Sequence, residues 1–315
     1  MPSETNANSL ESNTEIRFIK LGDRGVWEKS CIEDNTIRLG YESPLHEESL
    51  SGNWDAVRSF WLNFRNGDQR VASSDVNQIR DFYELPESVI WVTFFNRRMY
   101  WCRAAREVIQ LEDGTRIRRA TSKWSCYDLH GSPLTIENID GRVTKVRGYR
   151  GTICKVELDS YLIRKLNGEA QPEVEAARTS LGRLRTDIEE LIRGLWWNDF
   201  ELLVELIFSK SGWQRMSVLG KTEKDIDIDM LSPVTQERAF VQVKSSTNAA
   251  EISGYYDKFK DYTQYHEMYF VFHTFNGQPK DVPADVERLH VWDTSRVADL
   301  VIHAGLVDWL ITKRS

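Results

Sequence analysis

The chain has 315 residues, 41% hydrophobic and 28% charged, with a formal net charge of −7, a composition that excludes fibrous, collagen-like and disulfide-stapled architectures and favours two globular domains. Cys31, Cys102, Cys126 and Cys154 stand far apart with no Cys-x-x-Cys pair, so buried reduced thiols are expected rather than a zinc site. No apolar run reaches the ~18 to 20 residues of a membrane helix, and the polar N-terminus lacks a secretory apolar core, so a cytoplasmic location is expected.

Residues 1–14 are rich in Ser, Asn, Glu and Thr and read as a disordered leader. Order begins near Glu15, with strands at Ile16–Leu21 and Thr36–Tyr41 separated by the Gly22-Asp23-Arg24-Gly25 turn and an irregular segment at Val26–Cys31. Val57, Trp61 and Phe64 recur at helical spacing within residues 54–64, and a second short helix is expected at Ser74–Phe82. Strands follow at Ser88–Phe95, Arg98–Ala104, Glu107–Leu111, Arg116–Ala120 and Thr152–Glu157. Short strands with two intervening helices and no βαβ repeat suggest a small, mostly β barrel or curled sheet over residues 15–165.

Charge is distributed unevenly in this region. Residues 97–155 carry 13 Lys/Arg against 6 Asp/Glu, a local +7 that leaves −14 for the rest. Such a run is either a solvated strand face or a phosphate-contacting surface, and the Asn96-Arg97-Arg98 turn is open to both readings. The motifs Phe18-Ile19-Lys20-Leu21-Gly22 with Gly25 and Trp27, Ile37–Tyr41, Val89–Val92 and Met99–Cys102 faintly resemble the PUA-like superfamily near its EVE and YTH members. That resemblance implies an aromatic pocket for a modified base. An extruded base needs stacking walls. Trp27, in a turn between strands, is the first candidate wall, followed by Trp101 and Tyr100, of which only one can face a given side of its strand.

Asn167–Pro172 breaks regular structure, and a helix-prone run follows, so residues 166–190 are expected to form a linker helix. Residues 191–315 then form a second domain. Phe200, Leu203, Val204, Ile207 and Phe208 make one apolar stripe of a helix that Asn198-Asp199 can cap. Glu201 and Glu205 share its flank.

The most informative stretch runs from Gly220 to Ser246. Asp225, Asp227 and Asp229 alternate with Ile226, Ile228 and Met230, and beyond a polar turn Gln242 and Lys244 alternate with Val241 and Val243. Both halves have the period of a strand, so a hairpin with a polar face of carboxylates, an amide and an ammonium is expected. Oxygens of this kind suit a hard cation such as Mg²⁺. Gly220-Lys221-Thr222 lacks the upstream glycine of a phosphate loop, which removes ATP binding there.

A helical acid after Phe200, Gly212-Trp213, an Asp, about fifteen residues and Gln-x-Lys resembles the PD-(D/E)xK nucleases, in particular their Mrr-like branch, over residues 191–275. The resemblance implies a restriction-endonuclease-like α/β sandwich joined to the PUA-like part, an α+β chain overall. It implies an Mg²⁺-dependent endodeoxyribonuclease, modification-dependent and acting on double-stranded DNA as a homodimer, as in restriction-modification or antiviral defence. It assigns Asp227 as principal metal ligand, Glu201 as a second carboxylate, Gln242 as an oxygen ligand and Lys244 as the group that orients water and supports phosphate charge. Asp225 and Asp229 share the strand face of Asp227, and Glu205 rivals Glu201, so spacing leaves those choices open. A protein that binds modified nucleic acid without cutting, and a nuclease gated by a small ligand, are the alternatives. His266 and His273, in aromatic surroundings without partner spacing, are expected to be packed core residues.

Overall fold

The computed structural model describes residues 9–216 and 227–315. The expectations for residues 1–8, for Gly220–Thr222 and for Asp225 lie outside the described residues. The chain divides into two compact units, Met1–Gln171 and Pro172–Ser315.

The first unit contains β1 (Ile16–Ile19), α1 (Glu28–Glu33), β2 (Thr36–Leu39), α2 (His46–Leu50), α3 (Trp54–Phe64), α4 (Gln69–Glu84), β3 (Ile90–Phe95), β4 (Arg98–Arg103), β5 (Ile109–Gln110), β6 (Arg116–Arg119), α5 (Gly141–Thr144), β7 (Ile153–Lys155) and α6 (Asp159–Asn167). Its strands form two sheets, ordered β4-β3-β1-β7 and β2-β6-β5. In the larger sheet β1 runs parallel to β3 and antiparallel to β7. Side chains alternate across it: Ile90, Val92 and Phe94 enter one core with Ile16 and Phe18, and Trp91 enters the other with Val76, Ile79 and Phe82 of α4. Helix α4 starts earlier than the expected Ser74 because Asp68 caps it, accepting the Val71 N–H at 3.0 Å. The segment expected as irregular after Val26 is helical, as α1. Within the stretch expected as leader, Leu10 is buried, and its backbone exchanges hydrogen bonds of 2.8 and 3.1 Å with the Asn167 amide.

Two arginines of the basic run are internal. Arg116 and Arg118 are 2% and 0% exposed. Arg116 donates to the carbonyls of Tyr41, Ser43 and Gly114, and Arg118 to those of Phe82, Ala104 and Ala105. Burial pushes the Arg118 guanidinium down to about 10. These groups satisfy backbone carbonyls rather than phosphates.

The second unit contains α7 (Pro172–Arg193), α8 (Trp197–Lys210), β8 (Gln214–Arg215), β9 (Ile228–Leu231), β10 (Arg238–Thr247), α9 (Ala249–Phe259), β11 (Glu267–Phe275), β12 (Leu289–Trp292), α10 (Thr294–His303) and α11 (Val307–Arg314). One five-stranded sheet, ordered β12-β11-β10-β9-β8, runs through it. Strands β10, β11 and β12 run parallel to one another, and β9 is antiparallel to β10. Ala239 and Val241 of β10 pack with α7, α8 and α10 on one side of the sheet. Phe240 packs with Ile252 and Phe259 of α9 on the other. The helix read as a linker is α7, whose Ile188 and Ile192 enter the first of these cores. The closing helix expected over Ser295–Lys313 is two helices, broken where Gly305 takes a φ of +68°.

Candidate active site

The site is built where β9, β10 and α8 approach one another. The hydrogen-bonded register ends with Val241 opposite Ile228, so one step further Asp227 faces Gln242 across the ladder. One Asp227 carboxylate oxygen accepts both the Gln242 side-chain N–H and the Val243 backbone N–H, the latter at 2.8 Å. Lys244 follows two residues after Gln242, on the same face of β10. Its ammonium lies 5.3 Å from the centre of the Tyr255 ring on α9, where Lys258 sits at the same distance. From α8, whose apolar stripe fixes its rotation, Glu201 points toward the same place.

Glu201, Asp227, Val243, Lys244 and Ser245, with Trp197 from the first turn of α8, line a single cavity of about 320 Å³. Three of the four residues singled out from the sequence therefore share it directly. Gln242, the fourth, is 1% exposed and reaches the cavity through its contact with Asp227.

The rival residues have other partners. Asp229 is buried and paired with Arg238. Glu205 is held by Arg215, which also stands 3.7 Å from Glu201. His266, expected in the core, is exposed instead and accepts the Arg238 backbone N–H at 3.2 Å. His273 packs edge-on against Phe200 at 4.9 Å, and burial, reinforced by Arg193, lowers its pKa and favours the neutral ring.

Burial raises the pKa of Asp227 against the opposing pull of the Val243 N–H, Lys244 and Gln242. Burial also raises that of Glu201, and the Asp227 charge adds to it while Arg215 opposes. Two carboxylates facing one cavity, with the charge of Asp227 disfavouring the ionisation of Glu201, are an arrangement that a cation relieves. Among the described residues no group of three or more His, Cys, Asp and Glu could hold a metal ion, so the donor set must extend to an amide or water. Gln242 carries one: its Oε1 is buried without a hydrogen-bond partner, while its Nε2 is the atom turned to Asp227. Two carboxylates and an amide oxygen are hard donors, and they fit Mg²⁺, which keeps several waters of its own.

Trp197 is a lining residue that spacing alone did not single out. It is 55% exposed, and the adjacent Trp196 is 61% exposed. Two neighbouring tryptophans just ahead of the helical acid are the sequence signal that points to it.

The base-binding candidates of the first unit are held differently. Trp27 lies against Gly22 and Gly40, where an added Cβ would come within 3.0 Å of its ring, and Arg38 covers it at 4.1 Å. Trp101 donates to the Tyr127 carbonyl at 2.8 Å and packs on the core of Phe18 and Val92, whereas Tyr100 packs on the opposite core. A cavity of about 330 Å³ in this unit is lined by other residues, among them Lys20, Arg24, Arg97 and Arg147.

Comparison with known proteins adds a family match over part of the chain. Residues 192–301 match the family described as Mrr_cat, restriction endonuclease. Two solved structures are similar over most of the chain. One is the DNA modification-dependent restriction endonuclease AspBHI, at 10% identity, covering 89% of this chain and 79% of that one with a TM-score of 0.31. The other is the MspJI restriction endonuclease in complex with a 27-mer oligonucleotide, at 13% identity, 90% and 74% coverage and a TM-score of 0.25. No curated protein matches the sequence. No helix of the described residues is long and apolar enough to cross a membrane.

Proposed function

Residues 192–301 are a restriction-endonuclease domain, the part of a hydrolytic enzyme that acts on DNA, and from that premise we propose that the chain is an Mg²⁺-dependent, modification-dependent endonuclease of double-stranded DNA. The observation that carries this reading is the convergence of Glu201, Asp227 and Lys244 on one cavity.

In this reading Asp227 and Glu201 hold the cation, with Gln242 contributing its amide oxygen once the amide is turned. Bound Mg²⁺ supplies Lewis acidity and lowers the pKa of water. The Val243 N–H fixes the Asp227 carboxylate, so the ligand is oriented before the cation arrives. Lys244 places a positive charge beside the phosphate, where negative charge grows as the water oxygen bonds to phosphorus and one P–O ester bond breaks. The Tyr255 ring attracts the Lys244 ammonium. Trp197 gives the cavity an apolar wall on which a neighbouring base or sugar can rest. One such cavity per chain cuts one strand, so cleavage of a duplex calls for a homodimer. The separate first unit, resembling PUA-like base readers, is the part that makes cutting depend on a modified base.

The test incubates purified protein with modified and unmodified plasmids in Mg²⁺ or EDTA, beside Asp227→Ala and Lys244→Ala. Cleavage of modified plasmid only, abolished by EDTA and by both substitutions while DNA binding persists, is the expected result. Undiminished cleavage in both variants would remove the proposal, and binding without cutting by the wild type would leave a reader of modified DNA.

A further inference from the structure

Strand β10 and helix α9 bring a second lysine close to Lys244. Phe240, Gln242 and Lys244 alternate along β10 with Ala239, Val241 and Val243, and Phe240 packs with Ile252 and Phe259 of α9, so Lys244 leaves the strand on the α9 side. Helix α9 begins after Asn248, whose side chain accepts the Glu251 N–H at 3.0 Å. Ile252 and Phe259, 0% and 1% exposed, fix its rotation. Tyr255 lies between them in the same stripe, its ring 5.6 Å from that of Phe270 on β11. Lys258 stands one turn further on, exposed to solvent.

The Tyr255 ring is shared by both lysines. The Lys244 and Lys258 ammonium groups each lie 5.3 Å from its centre, so they are separated by no more than twice that distance. A lysine in the last turn of a helix is accounted for by the helix dipole. Sharing a ring with Lys244 is not: two like charges at one neutral ring repel, and an anion that reaches both relieves the repulsion. Lys244 borders the carboxylate cavity, and Lys258 is not among the residues that line it, so the pair carries positive charge from the cavity onto the surface of α9.

A polyanion with regularly spaced charges fits such a pair. Phosphates recur along one DNA strand about every 3.4 Å of helix axis, so one or two nucleotides cover the separation of the two ammonium groups. We propose that Lys258 contacts a phosphate of the cut strand one or two nucleotides from the scissile one, and that the Tyr255 ring sets its spacing from Lys244. Such a role for Lys258 rests on the reading of Lys244 as the cation beside the scissile phosphate, and adds to it a residue that holds the substrate without touching a reacting atom. Losing this contact weakens ground state and transition state alike and so appears in KM. Lys244 acts where charge grows, and its loss appears in kcat. Tyr255 acts through the two lysines and is a positioning residue.

Binding of a defined fluorescent duplex, with and without 5-methylcytosine, is measured on the full chain by anisotropy in EDTA from about 50 to 200 mM salt. Cleavage of the same duplexes is followed by steady-state kinetics in Mg²⁺. Both are repeated with Lys258→Gln, Lys258→Arg and Lys260→Gln. Lys260 is the control: its ammonium pairs with Asp257 at 2.8 Å and lies 4.6 Å from the Tyr256 ring, so its removal takes the same charge from the same helix. Lys258→Gln is expected to reduce the slope of log K against log salt by about 0.9, the share of one phosphate, and to raise KM on the order of tenfold with kcat retained. Lys258→Arg and Lys260→Gln should stay near the parent. Tyr255→Leu, which removes the ring but neither ammonium, should lower kcat and raise KM, and Tyr255→Phe should preserve both. Melting curves show that each variant is folded, and Lys258→Met replaces Lys258→Gln should the latter unfold. An unchanged slope in Lys258→Gln, an equal change in Lys260→Gln, a fall in kcat with KM unchanged, or no binding of either duplex by the parent overturns the proposal. Equal behaviour of Tyr255→Leu and Tyr255→Phe overturns the shared ring. If the parent binds DNA without cutting it, the nuclease reading fails and the salt slope still decides the Lys258 contact.

Discussion

The carboxylate of Asp227 accepts the backbone N–H of Val243 at 2.8 Å, which ties the start of β9 to the middle of β10 between the side chains of Gln242 and Lys244. The proposed metal ligand is thus anchored to the strand that carries Lys244, and disturbing one is felt by the other.

Asp227→Asn retains an oxygen for the Val243 N–H but removes the charge. Cleavage is expected to fall on the order of 10²–10³-fold, the scale of losing one preorganised electrostatic group. Melting temperature should stay close to that of the wild type. Asp227→Ala loses the same activity and also leaves the Val243 N–H without its acceptor, a cost of roughly 1–3 kcal/mol. Comparing initial cleavage rates and melting curves of the two variants checks both statements.

Asp229→Asn is expected to behave in the opposite way. Asp229 is 7% exposed and paired with Arg238, itself about a third exposed, so loss of the charge should destabilise the fold on the order of 1–3 kcal/mol. The cleavage rate per folded molecule should remain near wild type. A denaturant titration alongside the nuclease assay separates Asp229 from Asp227, which sequence spacing does not.

The raised pKa values of Asp227 and Glu201 give a signed pH dependence. A carboxyl with a raised folded-state pKa binds more protons folded than unfolded, so the stability it contributes is present at low pH and is lost as pH rises through that raised value. Without metal, the two groups should make the protein less stable as pH rises just above the ordinary carboxylate range. Mg²⁺ should reverse that loss by favouring the ionised pair. Since cation binding needs both carboxylates ionised, the acid limb of activity should lie at higher pH than for exposed carboxylates. Melting curves against pH with Mg²⁺ or EDTA, and a pH–rate profile, test this. An acid limb within the ordinary range would contradict it.

Trp197 lines the carboxylate cavity while more than half of its surface is exposed. Stacking on a base contributes about 1–3 kcal/mol, so Trp197→Ala is expected to lower kcat/KM for DNA by about tenfold or more with little change in melting temperature. Trp197→Phe should recover part of the loss. Steady-state cleavage of a defined duplex gives the measurement.

Local periodicity determined a large part of this protein. The two-residue alternation around Asp227 and Lys244, the stripe of α8 and the continuous apolar run of β11 depend on neighbours in sequence, so these elements and their order could be read before any coordinates. Where elements begin and end was less legible, because those bounds depend on caps such as Asp68 and on breaks such as Gly305. Tertiary structure alone distinguished chemically identical residues. Asp227 borders the cavity and Asp229 pairs with Arg238, although both occupy one strand face. Arg116 and Arg118 turn inward to carbonyls while Arg24 and Arg147 ring a cavity, although three of these four fall in the same basic run. The physical reason is common to both cases: a charged group's role is fixed by the partners that reach it, and those partners come from segments tens of residues away.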